Sequence, residues 1–222
     1  MIEIDNIFWF RHDLRILDNI PLYICSKKNK SAAIYIYDPR IIENENFSSL
    51  HLDFINDSLS ELSDTFKKYN SHLNIYYGES IQVLKKIIDN YNIQNIYSHH
   101  EVRDLNTYRI NLEIESLCKS YCVKWHQFQR NGVVKGLKNR DGWSYLWSRQ
   151  MKESLVSFPN LSNFEKLKNS EGIKNFNELG IAQIPYEKKF AGGEQVGRLQ
   201  LEKFFFLVTP SVFAVFFLLY IL

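Results

Sequence analysis

Cysteine is scarce in this chain. Cys25, Cys118 and Cys122 are the only three in 222 residues, an odd number with no C-x-x-C pair. That excludes an obvious disulfide framework or zinc site and makes a reducing cytoplasm the expected setting. No positively charged, then apolar, segment precedes the first strand, so no signal peptide is expected. Charge of one sign is lacking as well. Lys and Arg number 27 against 25 Asp and Glu, and a net charge of +2 permits nucleic-acid contact without arguing for it. The chain has no G-x-G-x-x-G, no Walker A sequence, no nucleophile elbow and no internal repeat at solenoid periods. His99-His100-Glu101 comes nearest to a metal cluster. Adjacent residues at a strand end point opposite ways, however, and no second cluster completes a site. It reads as a solvated loop, and no metal is expected.

What is present is ordinary for a globular protein. Hydrophobic residues make up 45% and charged residues 23%, and the length allows one core plus an appendage. The informative stretch is Ile7–Leu22, IFWFRHDLRILDNIPL. Ile7-Phe8-Trp9-Phe10 suits a buried strand, and Arg11, His12, Asp13 and Arg15 crowd its carboxyl end. Asp18 and Asn19 can cap a helix over about Asp18–Lys28, with Pro21 in its first turn.

Further strands are expected at Ser31–Tyr37, Leu73–Tyr77, Ile93–Ser98 and Val123–His126. Between them lie helices starting at Ser48 or Ser49, after Gly78-Glu79-Ser80, and after His99–Asp104. The first carries Leu52, Ile55, Leu59, Leu62 and Phe66 at helical spacing. The last runs through Tyr108, Leu112, Ile114 and Leu117. A polar loop with Glu43, Asn44, Glu45 and Asn46 is longer than the usual connection and a candidate for function. Five strands separated by helices require right-handed crossovers. The expected fold is α/β, a Rossmann-like, doubly wound, five-stranded parallel sheet with helices on both faces, over residues 1–128. Residues 129–200 read as a linker with short helices, wrapped on a surface. In it Trp143 and Trp147 share a helical face that anchors the linker.

The pattern W-F-R-x-D-L-R-x-x-D-N-x-x-L is present as Trp9, Phe10, Arg11, Asp13, Leu14, Arg15, Asp18, Asn19 and Leu22. It resembles the opening signature of the DNA photolyase/cryptochrome family. The competing reading is a generic first βα unit with a polar turn. Phe128-Gln129-x-Asn131-Gly132-Val133-Val134, Asn139-Arg140-Asp141-Gly142-Trp143 and Gly192-Gly193-Glu194 resemble segments bridging that family's α/β domain to its helical flavin domain.

The resemblance implies a light-harvesting antenna in the α/β domain, of the methenyltetrahydrofolate or deazaflavin type. FAD belongs to the helical domain of the full-length family, as do the DNA-binding face and the electron transfer to a pyrimidine dimer. The implied function is therefore that of the antenna domain of a photolyase (light-driven DNA repair) or a cryptochrome (blue-light sensing). DNA is a partner only if that second domain is present.

Residues 201–222 form an apolar tail. Phe204–Leu222 holds 19 residues without a charged side chain. As one helix it reaches ~28 Å, near the ~30 Å of a bilayer core, with Thr209-Pro210-Ser211 as a kink. Two readings compete. One is a C-terminal membrane anchor. The other, which is preferred, is a frame slip at Phe204-Phe205-Phe206 that truncates a longer ancestor before its flavin domain.

Arg11 and Asp13 at the end of the first strand, Asp38 at the end of the second and Glu101 after the fourth converge on one rim if the sheet forms. Guanidinium and carboxylates together suit a polar heterocycle or a phosphate-bearing ligand. These four are the expected chromophore-binding residues, Glu101 corresponding to the family's acidic antenna ligand. Against that stands the reading of Arg11–Asp13 and Arg15–Asp18 as local ion pairs that fix the turn, worth little if exposed. A second function class also stays open: a stand-alone nucleotide- or folate-binding module, tethered to a membrane and acting in interaction or sensing.

Overall fold

The structure is a computed structural model that describes residues 3–129, 139–183, 185 and 191–205. Its centre is a five-stranded sheet in the order β3-β2-β1-β4-β5, every pair parallel. The strands are β1 (Asn6–Phe10), β2 (Ser31–Tyr37), β3 (Leu73–Tyr77), β4 (Asn95–His99) and β5 (Lys124–Phe128). Between and after them run α1 (Ile20–Ser26), α2 (Pro39–Ile42), α3 (Ser49–Lys68), α4 (Ser80–Asn90), α5 (Leu105–Ser120) and α6 (Trp143–Met151). Residues 194–205 are also helical.

The expected fold class is thus the observed one. β1 and β2 are buried along their whole length, and alternate side chains feed opposite layers. Ile7, Trp9, Ile34 and Ile36 pack with Leu84 of α4 and with Ile110 and Ile114 of α5. Phe8, Phe10, Tyr35 and Tyr37 pack with Leu22 of α1 and with Leu52, Leu59 and Phe66 of α3.

Local chemistry sets the helix starts. Asn19 accepts from the Leu22 N–H at 3.1 Å, and Asp104 accepts from the Thr107 N–H at 2.7 Å. Ser48 caps α3, with its own N–H donating to His51 Nδ1 at 3.1 Å. Asp18 does not cap. It sits in the left-handed region at φ 51° and accepts from the Val156 N–H at 3.2 Å, so α1 starts later than Asp18. On α5 the buried side is Ile110, Ile114, Leu117 and Cys118, whereas Tyr108 and Leu112 face solvent.

Two expectations for the region after β5 fail. The stretch from Leu161 to Leu179 is not merely wrapped on a surface, because Leu161, Phe164, Leu167 and Leu179 join the core. Phe164 packs edge-on against Phe66, their ring centroids 5.5 Å apart. The same stretch seals the β3 edge of the sheet. Glu171 N–H donates to Ile75 O at 2.7 Å, and Ile75 N–H donates to Ser170 Oγ at 3.1 Å. Fully buried Asn74 donates to Ala33 O (3.1 Å) and Glu165 O (2.9 Å) and accepts from Leu167 N–H (2.8 Å). An open edge is a template for aggregation, and this one is closed by the chain's own backbone. Trp143 and Trp147, in turn, are not buried in the core. Their rings stack on each other at 6.2 Å, and α6 has no buried residue.

Residues 130–138, which include Asn131 to Val134, lie outside the described residues, as does the tail from 206 onward. Among the described residues no helix is long and apolar enough to cross a membrane.

Candidate functional site

The strand order reverses direction between β1 and β4, which opens a crevice outside their carboxyl ends. Arg11 leaves β1 there. Its guanidinium lies 4.5 Å from the centre of the Trp9 ring, and Nη1 donates to Asn111 Oδ1 of α5 at 2.8 Å. Asn111 Nδ2 in turn donates to the Glu101 backbone carbonyl at 3.2 Å. One amide therefore ties the β1 and β4 turns together. Burial pushes the Arg11 pKa down to about 10, against the attraction of Glu101 and Asp38, which leaves it a cation at neutral pH. Glu101 is buried, and its Oε1 accepts from the His12 N–H at 3.4 Å.

Asp38, also buried, ends β2 and accepts from four donors. Arg40 supplies its backbone N–H (3.0 Å), Nε (3.3 Å) and Nη2 (3.2 Å), and Ser80 supplies its N–H (2.8 Å). It joins the starts of α2 and α4. Asp13 faces His99 Nδ1 at 3.1 Å and Arg15 Nε at 3.4 Å. The Arg11–Asp13 pair of the competing reading does not form; the contacts are Arg11–Asn111 and Asp13–His99 instead. Arg15–Asp18, at 4.0 Å and about 40% exposed on both sides, adds little. His99-His100-Glu101 is not the solvated loop expected of it, since His99 and Glu101 are both buried.

Two cavities meet at these residues. Arg11, Asp38 and Glu101 line a narrow crevice of about 50 Å³ with Tyr35 and Ser80. Arg11 and Asp13 line a larger one of about 820 Å³, walled by Leu14, Phe54, Leu155 and Leu201. Ligand sites span roughly 300–1,000 Å³ and are mainly apolar with a few convergent polar groups. Of these two, the larger has that size. The crevice supplies polar groups at its edge, and both are bordered by Arg11, His12, Phe47, Ile55 and Arg103.

Sequence far from β1 completes the larger cavity. Glu194 accepts from the Ile16 N–H at 2.8 Å and the Leu17 N–H at 3.0 Å, holding the turn after β1. Gly192 N–H donates to Asp57 at 2.9 Å, and Gln195 N–H donates to Glu61 at 3.1 Å, clasping 194–205 against α3. A Cβ on Gly192 would lie 2.1 Å from the Phe54 carbonyl oxygen, and Gly193 has φ +111°. Both positions need glycine. Tyr35, Arg103 and Asn111 escaped sequence reasoning because each sits inside an element or loop that looks unexceptional. Glu194 was visible only through resemblance.

Burial pushes the Cys25 thiol up to about 12 and the Cys118 thiol up to about 11, and all three cysteines are free. Among the described residues no group of three or more His, Cys, Asp or Glu could hold a metal ion.

A family model described as DNA photolyase matches residues 6–143. Cryptochrome DASH of Synechocystis sp. is 32% identical over 100 residues, 42% of this chain and 20% of that protein. The deoxyribodipyrimidine photo-lyase of Buchnera aphidicola is 30% identical over 133 residues, 59% of this chain and 26% of that protein. An archaeal photolyase structure from Sulfolobus tokodaii, described with two FAD molecules and a novel light-harvesting cofactor, superposes with TM-score 0.68 at 23% identity. That match covers 88% of this chain and 45% of the other. A Synechocystis cryptochrome structure gives TM-score 0.70 at 19% identity, covering 92% and 47%. These structural matches show the fold. The chain spans about a quarter or less of these two curated relatives' lengths and under half of these solved ones.

Proposed function

From the premise that the chain belongs to the DNA photolyase family, we propose that it acts as that family's antenna-binding α/β domain. Its ligand is a planar, light-absorbing heterocycle of the methenyltetrahydrofolate or deazaflavin type. The observation that carries this is the apolar cavity of about 820 Å³ at the switch point, with Arg11 on its wall and Glu101 in the adjoining crevice. Arg11, held by Asn111 and Trp9, presents a fixed cation. Glu101 presents a buried acceptor. Asp13, through His99 and Arg15, and Asp38, through Arg40 and Ser80, hold the turns that frame the ligand.

When bound, the antenna supplies light absorption and passes the excitation to a flavin. This chain's own part is to bind, orient and exclude water. The light-driven repair of DNA, or blue-light sensing, belongs to the same proposal at the level of the whole family protein, with FAD and DNA as its further partners.

The test is titration of the purified chain with methenyltetrahydrofolate and with a deazaflavin, followed by absorbance and fluorescence. A red-shifted, saturable spectrum is expected with one of them. Arg11→Met and Glu101→Gln should each weaken it at least fivefold, the worth of a charge-assisted hydrogen bond. An unchanged spectrum with both ligands, at excess over protein, refutes the reading.

A further inference from the structure

The crevice holds a polar group that the fold itself does not use. Tyr35 on β2 is 7% exposed and meets Tyr37 edge-on, their ring centroids 5.0 Å apart. Tyr37 donates its hydroxyl to Asn56 Oδ1 at 2.6 Å, and Tyr76 donates to the Lys168 carbonyl at 3.1 Å. Among the described residues the Tyr35 hydroxyl has no hydrogen-bond partner, and it lines the crevice beside Glu101. Tyr97, buried on the same face, borders neither cavity. The hydroxyl oxygen is not sealed from solvent, so it opens into the crevice, where a bound ligand can accept from it. Burial, chiefly, pushes the Tyr35 pKa up, with Tyr37 and Glu101 adding to the rise against Arg103, so the phenol stays neutral and able to donate.

The way in is equally defined. The wall between crevice and larger cavity includes Arg103 and His12, whose side chains are in hydrogen-bond contact. Arg103 is exposed, so that contact costs little to break.

We propose that Tyr35 is the specificity-determining hydrogen-bond donor of this site. A ligand with a lactam edge reaches it from the larger cavity by displacing the Arg103–His12 contact. The ligand's carbonyl accepts from the Tyr35 hydroxyl, while its ring N–H donates to the Glu101 carboxylate. The inference rests on the heterocycle-binding reading above and adds which edge of the heterocycle is read. A crevice of about 50 Å³ admits that edge alone, and the rest of the ring system stays in the larger cavity.

Riboflavin, which has such an edge, and 3-methylriboflavin, in which the ring N–H is blocked, are titrated against the full chain by fluorescence. Riboflavin should bind wild type, with Tyr35→Phe and the methylated ligand each weakening binding roughly five- to tenfold. Arg103→Ala should speed association without weakening affinity. Tyr35→Phe should leave the unfolding temperature of the free chain unchanged or raised, because no internal hydrogen bond is lost. Equal riboflavin affinity in Tyr35→Phe and wild type overturns the inference and leaves the functional reading standing. A lowered unfolding temperature also overturns it, by showing that the hydroxyl serves the fold. If wild type binds none of riboflavin, methenyltetrahydrofolate and a deazaflavin, the functional reading falls and this inference with it.

Discussion

Replacing Asn74 by leucine should unfasten one edge of the sheet. The side chain is fully buried, makes three hydrogen bonds and joins β3 both to β2 and to residues 165 and 167. Leucine fills nearly the same volume, so the change isolates polarity from packing. Each bond is worth about 1 kcal/mol net, and a buried amide left without an acceptor costs about 1–3 kcal/mol. Leu167, whose N–H loses its acceptor, is itself buried. The two donated bonds and the stranded Leu167 N–H, which stands for the third, sum to about 3–5 kcal/mol, a large share of the roughly 5–15 kcal/mol by which domains are stable. At about 2–4 °C per kcal/mol for this chain length, the unfolding midpoint should fall by about 6–20 °C. Urea and thermal unfolding followed by circular dichroism measure the loss. Amide exchange should localise it to residues 165–171 and β3. A loss below about 1 kcal/mol would refute the argument that Asn74 fastens the edge.

Other perturbations have equally definite outcomes. Gly192→Ala forces a Cβ to within 2.1 Å of the Phe54 carbonyl. It should release residues 194–205 from α3, which limited proteolysis would detect as new cleavage near 191–195, together with weaker ligand binding. Glu194→Ala strips the Ile16 and Leu17 amides of their acceptor and should cost about 1.5–3 kcal/mol in urea unfolding, the range for a charged acceptor. The His126 pKa is lowered from its ordinary 6.5 by burial, with Lys124 and Lys28 adding to it. The folded state therefore binds the proton less well than the unfolded one. The stability this represents is full above pH 6.5 and is lost as pH falls through 6.5 toward the lowered value. Urea midpoints across that window should drop less in His126→Gln than in wild type.

The parts of the fold with a repeating pattern were legible in the sequence. The apolar runs of β1 and β2, the 3–4 spacing on α3 and the caps at Asn19 and Ser48 are local signals, and the structure follows them. The site was legible in outline. Strand ends predict that Arg11, Asp38 and Glu101 meet, and they share one crevice. Partner choice was not legible, because it depends on helix placement. Asn111 lies 100 residues from Arg11 in the chain yet takes the hydrogen bond that the competing reading gave to Asp13, two residues away. The stretch from Leu161 to Leu179 hid its core residues for a related reason. Apolar positions three apart amid Asn, Lys and Glu match neither a strand nor a helix face, and only contact with Phe66 and β3 reveals their use.

The bond from Glu194 to the Ile16 and Leu17 amides spans 178 and 177 residues. A ribosome makes the β1 turn well before it makes that turn's acceptor. During synthesis the sheet can assemble while that turn still bonds to water, and its native geometry comes only when Gly192-Gly193-Glu194 emerges and docks. On the antenna-binding proposal, ligand capture would therefore wait for that docking and follow assembly of the sheet.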